Sequence, residues 1–279
     1  MSAIQQQAYP APFDAVAARY DETFTRSLIG QAQRSAVWRE LEKTFRPGDR
    51  VLEIGCGTGV DACFLAHRGV RVIGCDSSPQ MIRVAAQKVR NSGLDELVQP
   101  RLLRAEDIAT LPANEPFDGV LSNFGALNCV EDLGKTARDL ARLLKPGASA
   151  LLCWMGPRCA WEMIWYLSEG NRTKALRRLR PDGAIARIAD GAVLHVHYPT
   201  VCSLARAFAP YFRVKSVRGI GVAVPPSYLE PWAQRHPILL QLFERADLAL
   251  GRCPGIRMLA DHLLVRLQRV ETARFMVEL

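Results

Sequence analysis

The chain has 279 residues, 49% of them hydrophobic and 23% charged, with a formal net charge of +8. That length can bury one substantial core with an elaboration, and no run reaches the roughly 18 uninterrupted apolar residues of a membrane span. The opening Met1-Ser2-Ala3-Ile4-Gln5-Gln6-Gln7 has no basic stretch leading into an apolar one, so no secretory signal is read and a cytoplasmic location is expected. None of the eight cysteines forms a C-x-x-C pair, so reduced thiols and no metal site are expected.

In chain order, Phe13, Val16, Ala17 and Tyr20 fall at helical spacing and predict a short amphipathic helix, with Arg34 on a further helix as a solvated side chain. From about Arg50 to Trp154 strand and helix patterns alternate, which indicates βαβ units around a parallel sheet. Val51 to Ile54 reads as a buried strand and leads through Gly55, Gly57 and Gly59 into a helix from about Asp61 to His67. Val70 to Cys75 gives a second strand ending at Asp76. Ser78 and Pro79 are the cap and first residue of the next helix, and Asn91-Ser92-Gly93 stops it. A third strand ends near Arg104, a fourth spans Phe117 to Ser122, a helix spans Asp132 to Leu144, and Ala148 to Trp154 makes the fifth strand.

Beyond Trp154 the alternation loosens. Met155 to Tyr198 reads as an insertion with an aromatic helix from Trp161 to Leu167, a basic helix from Thr173 to Arg180 and a strand from Val193 to His197. A helix from Ser203 to Phe208, a strand from Arg213 to Val217, further helix from Ser227 to Leu250 and a terminal strand from His262 to Leu267 complete the chain.

The segment Glu53-x-Gly55-x-Gly57-x-Gly59 carries the chemistry. Glycines let backbone approach a ligand, and the following helix start favours an anionic group. A dinucleotide fingerprint begun at Gly55 requires glycine at position 60, where the chain has Val60. On these residues the chain resembles the class I S-adenosylmethionine (SAM) dependent methyltransferases, strongly over about 45 to 154 and weakly beyond. The resemblance implies an α/β Rossmann-like fold with a seven-stranded, mostly parallel, doubly wound sheet. It divides a single domain into an N-terminal helical lid (1–45), a SAM-binding core (46–154), an inserted helical substrate cover (155–198) and a C-terminal part of the sheet (199–279).

It also implies a site. SAM, converted to S-adenosylhomocysteine, would be held by Glu53, Gly55, Cys56, Gly57 and Gly59, with Asp76 on the ribose hydroxyls and Ser77 and Met81 beside it. In Glu106-Asp107-Ile108, Asp107 would accept from the adenine amine while Ile108 packs on the ring. Asn123, Phe124 and Leu127 would face the methionine end, and Tyr20 would close from the amino-terminal segment. From the residues themselves, a carboxylate in a buried strand needs a partner, so Glu53 is assigned to the cofactor's ammonium group or to the loop amides.

Absent motifs narrow the reaction. Ser122-Asn123-Phe124-Gly125 stands in place of the Asn-Pro-Pro-Tyr type of tetrapeptide of base and glutamine amino methyltransferases, and there is no G-x-S-x-G, H-E-x-x-H or P-loop. SAM brings its own activated methyl group, so a catalytic base is optional and stays unassigned; Tyr20, His195 and His197 are the residues available for it. The function expected is direct in-line methyl transfer to a small-molecule or lipid-like acceptor. The alternatives are an RNA methyltransferase, suggested by the basic charge but without an aromatic-interleaved basic stretch, and a nicotinamide-dependent oxidoreductase, which the glycine spacing opposes. Arg172, Lys174, Arg177, Arg178, Arg180 and Arg187 stand against Asp182, after a helix carrying Trp161, Ile164, Trp165 and Tyr166. A cationic face beside an aromatic one suggests peripheral contact with an anionic membrane or an amphipathic acidic acceptor.

Overall fold

The computed structural model of the chain describes residues 11–188 and 191–271. Five strands run parallel: β1 (Arg50–Ile54), β2 (Arg71–Asp76), β4 (Phe117–Ser122) and β5 (Leu144–Met155), each with an apolar stretch, and the more polar edge strand β3 (Val98–Leu102). They join β8 (Phe212–Ile220) and β9 (His262–Arg269) in a seven-stranded sheet of order β3-β2-β1-β4-β5-β9-β8, in which β9 is antiparallel to both neighbours. The order reverses between β1 and β4, so the crevice at the carboxyl ends of these two strands is where such a sheet receives a ligand.

Both faces are covered, as near-continuous apolar strands require. On one face Leu52, Ile54, Val120 and Leu152 pack with Leu140 of α5 (Leu133–Leu143) and with Leu204 and Phe208 of α8 (Val201–Phe208). On the other, Val51, Val72, Leu121 and Leu151 meet α2 (Leu28–Thr44), α3 (Val60–Ala66) and α4 (Pro79–Asn91) through Val37, Leu41, Leu65 and Val89. Ser78 caps α4 by accepting from the Met81 amide at 3.0 Å, as its position before Pro79 predicts.

Four elements differ from the sequence expectation. The amino-terminal helix is broken into a 3₁₀ turn at Asp14–Val16, the four-residue α1 (Ala17–Tyr20) and a π turn at Asp21–Thr25. The next helix, α2, belongs to the core, with Ile29, Val37 and Leu41 fully buried. The basic helix shrinks to α7 (Arg172–Ala175) and a 3₁₀ turn at Arg177–Leu179, and an unexpected strand β6 (Ala184–Arg187) pairs antiparallel with β7 (Val193–Val196). The long C-terminal helix divides at Pro237 into α9 (Glu230–Arg235) and α10 (Pro237–Leu250), since proline lacks the amide that would continue the first helix.

The inserted cover is anchored by buried charge. Glu162, on α6 (Ala160–Ser168), is 1% exposed and accepts bidentate bonds from Arg177 at 2.7 and 2.9 Å and bonds from Arg178 at 2.8 and 3.1 Å. Arg178 also donates to the Asp261 carboxylate at 2.7 Å, just before β9. Burial alone would lower the Arg178 pKa, but Asp261 and Glu162 overcome it and hold it raised. Two of the six basic residues of the expected cationic face, Arg177 and Arg178, are therefore turned toward buried carboxylates, because Glu162 and Asp261 lie within reach.

Candidate active site

A cavity of about 550 Å³ opens at the ends of β1, β2 and β4, a size typical of small-molecule and cofactor sites. One half is polar, with Tyr20, Gly55, Gly57, Asp76, Ser77, Glu106 and Asn123 on its wall. The other is apolar, walled by Leu103, Val130 and Met155 from the core and by Ala186, Ile188, Leu194 and Val196 from the cover.

The three glycines of the first loop do different work. All have positive φ, +70° at Gly55, +53° at Gly57 and +75° at Gly59, a region that other residues enter with strain. A Cβ on Gly55 would meet the Ala126 Cβ at 2.2 Å, and one on Gly59 would crowd the Ala85 Cβ at 3.1 Å. Only at Gly57 is there open space, and that space is the cavity. Gly55 and Gly59 thus let chain segments approach, whereas Gly57 clears room for a ligand.

Asp76 locks this loop. Its Oδ2 accepts from the Gly57 amide and its Oδ1 from the Ser78 amide, both at 2.9 Å. Burial raises its pKa against the opposing pull of those amides. Each carboxylate oxygen has a further lone pair for hydroxyl donors in the cavity. Beneath the loop, Glu53 is 1% exposed, its Oε2 has no hydrogen-bond partner, and burial, reinforced by Asp61, pushes its pKa well above the carboxylate range.

Asp61 organises the neighbouring wall. Its carboxylate accepts from Arg34 at 2.6 Å, from the Trp38 indole at 2.6 Å and from the Asn123 amide at 2.9 Å. Asn123 in turn accepts from the Phe124 amide at 3.0 Å, holding Phe124 at φ +46°, the one positive value among described non-glycine residues. The Arg34 guanidinium lies 4.9 Å from the Phe124 ring centroid, close enough for cation–π attraction. The amino-terminal segment closes the polar half. Asp14 accepts from the Gln80 amide at 3.1 Å, and Asp21 accepts from Thr58 of the glycine loop at 2.6 Å and pairs with Lys88 at 2.7 Å.

This geometry is that of a known domain type: residues 51–147 match the methyltransferase domain family. Over that stretch the chain is similar to the class I SAM-dependent methyltransferases. A demethylmenaquinone methyltransferase of Clavibacter sepedonicus is 33% identical over 147 residues, covering 51% of this chain and 56% of that protein. The chain spans about half the length of the curated relatives it matches. Among solved structures, the CcbJ methyltransferase of Streptomyces caelestis superposes with a TM-score of 0.60 at 17% identity, over 93% of this chain and 98% of that one. Geranyl diphosphate C-methyltransferase of Streptomyces coelicolor A3(2), solved with Mg²⁺, geranyl diphosphate and S-adenosylhomocysteine, gives 0.55 at 17% identity, over 85% and 79%. At these identities the structural likenesses establish the fold.

In the structure, Tyr20, Gly55, Gly57, Asp76, Ser77, Met81, Glu106, Asn123 and Phe124 all line this cavity. Glu53, Cys56 and Gly59 lie behind it as the loop's support. Asp107 is exposed and absent from the wall, Ile108 is 0% exposed in the core, and Leu127 is likewise internal. The 3₁₀ turn Ala105–Thr110 presents Glu106 instead, one residue earlier than the assignment to Asp107. His195 is exposed and its Nε2 lies against the Asp182 carbonyl, while His197 is half-buried and outside the wall. The reason is strand parity: Leu194 and Val196 face inward, so His195 faces outward. Arg34 is buried rather than solvated, because Asp61 pairs with it.

Sequence reasoning overlooked Asn128, which ties the cover strand to the sheet. Its side chain donates to the Met155 carbonyl and accepts from the Met155 amide, both at 2.9 Å, while its backbone carbonyl accepts from the His197 amide at 2.7 Å. No short-range pattern marks such a bridge. The apolar wall from β7 did have a signal, since Val193, Leu194 and Val196 surround the histidines.

Proposed function

We propose that the protein transfers the methyl group of SAM to a small, largely apolar acceptor by direct in-line displacement. The observation that carries the reading is one cavity with a polar half at the glycine loop and Asp76 and an aliphatic half beneath the β6–β7 hairpin. The residues present fit the cofactor. Gly57 leaves open space, Asp76 retains acceptor capacity, and the unpartnered Glu53 Oε2 lies behind the loop as a site for positive charge. When bound there, SAM supplies an electrophilic methyl group and a sulfur leaving group.

The chain's own residues then orient and shield. Asp76 and the Gly57 amide fix the nucleoside end, Asn123 and Phe124 wall the methionine end, and the amino-terminal segment with the hairpin excludes water from the reacting atoms. The ionisable groups on the described wall are Tyr20, Asp76, Arg104, Glu106 and Cys129. Burial raises the pKa of the Tyr20 phenol and pushes the Cys129 thiol up to about 11, so neither is ready to take a proton at neutral pH. An acceptor that brings its own nucleophile, such as an acidic phenol or an electron-rich ring carbon beside one, suits this wall. The demethylmenaquinone methyltransferase relatives support an apolar acceptor of that kind.

The test is calorimetric binding of SAM and S-adenosylhomocysteine against NAD, followed by labelled-methyl transfer to a panel of alkylated phenols and of hydrophilic amines. Binding of both SAM and its product with label in the phenols is expected. Preference for NAD, or label only in the amines, would sink the reading.

A further inference from the structure

The cover is apolar on both faces. In the hairpin Ala186 pairs with Leu194 and Ala184 with Val196, while Ile185 pairs with His195 and Arg187 with Val193. The first set includes the cavity wall, so strand alternation places Ile185, Arg187, Val193 and His195 on the opposite face. All four are exposed, Ile185 by 73% and Val193 by 58%. A strand pair covering a cavity ordinarily shows polar side chains to water; here each outer pair sets an aliphatic side chain beside arginine or histidine.

The helices of the same segment also leave large apolar side chains exposed. Ile164, Trp165 and Leu167 of α6 and Leu176 and Leu179 after it are large apolar side chains left exposed. Lys174 lies 5.2 Å from the Tyr166 ring centroid. Over 155–198 the exposed charges of the described residues are Arg158, Arg172, Lys174, Arg180 and Arg187 against Glu169 and Asp182, and the sequence adds Asp190. The exposed side chains of this segment are therefore large apolar ones accompanied by an excess of cations.

We propose that this outer face, centred on Ile185 and Val193, docks the protein peripherally on an anionic phospholipid bilayer and thereby admits an amphiphilic acceptor to the apolar half of the cavity. The delivery step rests on the apolar-acceptor reading above. Aliphatic and tryptophan side chains enter the boundary between headgroups and acyl chains, and lysine and arginine stems reach from there to lipid phosphates. No described helix is long and apolar enough to cross a membrane, so the contact is with one leaflet. A second copy of the chain suits the face less well, since a two-fold pairing would bring the Arg187 side chains of both copies into one apolar interface.

Liposome flotation of the full chain, with phosphatidylcholine alone and with about 30% phosphatidylglycerol at low and high salt, tests the surface. The parent is expected to float with anionic liposomes and to be partly released by salt. The double variant Arg180→Gln/Arg187→Gln should bind roughly thirtyfold more weakly, about fivefold for each cation near an anionic surface. Ile185→Ser/Val193→Ser should stay in the lower fractions at either salt while its calorimetric SAM affinity equals the parent's, which shows that it is folded. The proposal is overturned if the parent does not float with anionic liposomes, or if both double variants float as it does. It is equally overturned if sedimentation velocity shows Ile185 and Val193 holding a dimer that does not float. A chain that floats but ignores SAM refutes the methyl-transfer reading and leaves the docking surface standing, so the two failures are distinct.

Discussion

The two halves of the cavity are built on opposite principles. The polar half is made of backbone and fixed charge: three glycines in conformations that other residues avoid, Asp76 holding two amides, and Asn123 fixed by Asp61. The apolar half is made of interchangeable aliphatic side chains on a two-stranded hairpin attached through Asn128 and the Glu162–Arg178–Asp261 network. The contrast matches what the proposed function asks of each half. A polar nucleoside demands directional partners at set positions, whereas an apolar acceptor demands volume and exclusion of water. One half therefore tolerates almost no substitution and the other a good deal, which makes the difference measurable.

The largest effect is expected in the polar half. Asp76→Ala removes the acceptor for the Gly57 and Ser78 amides and for two ligand hydroxyls. With hydrogen bonds to charged groups worth about 1.5 to 3 kcal/mol each, SAM affinity should fall by on the order of a hundredfold or more. Gly57→Val should abolish binding outright, since it occupies the cavity and strains a φ of +53°. Calorimetry on variants shown to be folded by circular dichroism checks both. Parent-like affinity in Asp76→Ala would remove that residue from the site.

Next comes the attachment of the cover. Arg178→Ala leaves Glu162 and Asp261 buried and partly uncompensated, and breaking such a network costs about 3 to 5 kcal/mol. Burial opposes ionisation of Asp261, but His262 and Arg178 hold its pKa below the ordinary range, and Arg177 and Arg178 do the same for Glu162. These depressed carboxylates stabilise the fold above their unfolded pKa values and lose that contribution as pH falls toward the folded ones. Parent stability should therefore drop at acid pH, and the Arg178→Ala melt should be both lower and less steep in that window. Thermal melts from pH 3 to about 7 read this directly.

The contrast also explains what was legible in the sequence. Positive φ at Gly55, Gly57 and Gly59 demands glycine, and a strand buried on both faces demands Val, Leu and Ile, so loop and sheet leave local signatures. Asp76 follows from its place at a strand end. Asp107 against Glu106 is a question of one residue within a 3₁₀ turn, and nothing local decides which side chain faces the cavity. Arg34 is buried by a carboxylate 27 positions away, at Asp61, and Arg178 by one 83 positions away, at Asp261. Partnerships at that separation exist only once the chain has folded. β6 escaped notice because Ala184 to Arg187 is short and its alternation pairs small residues with Ile185 and Arg187.

A third prediction separates stability from binding inside the polar half. Burial pushes the Glu53 pKa up, so between its unfolded and folded values the native state holds a proton that the unfolded state has released. Stability therefore falls as pH rises through that window. Glu53→Gln cannot release the proton, so its stability should stay flat there while the parent's declines. The same change removes a carboxyl that a cationic ligand group would draw into its ionised form, and SAM affinity should weaken roughly tenfold. Denaturant melts from pH 4 to about 8 and calorimetry give the two readings. A variant that lost stability in parallel with the parent and bound SAM normally would leave Glu53 without a role in either.

The smallest effect belongs to His195, and its smallness is the point. A general base at the acceptor end is worth about a hundredfold to ten-thousandfold in rate. Histidine is the side chain best suited to that task near neutral pH, which is why His195 invited the assignment. The structure turns it outward: it is exposed, its ring tilted against that of His197 with centroids 4.3 Å apart, and on the face opposite Leu194 and Val196. His195→Ala should change stability by less than about 0.5 kcal/mol, as for an ordinary surface position, and leave kcat/KM for a soluble phenolic acceptor within about twofold. Leu194→Ser, one residue away and facing inward, should instead raise KM for that acceptor and spare SAM affinity. A hundredfold loss of kcat in His195→Ala with Leu194→Ser unaffected would mean that the hairpin presents its other face to the acceptor during turnover. In that case the aliphatic half of the cavity would not be the acceptor site.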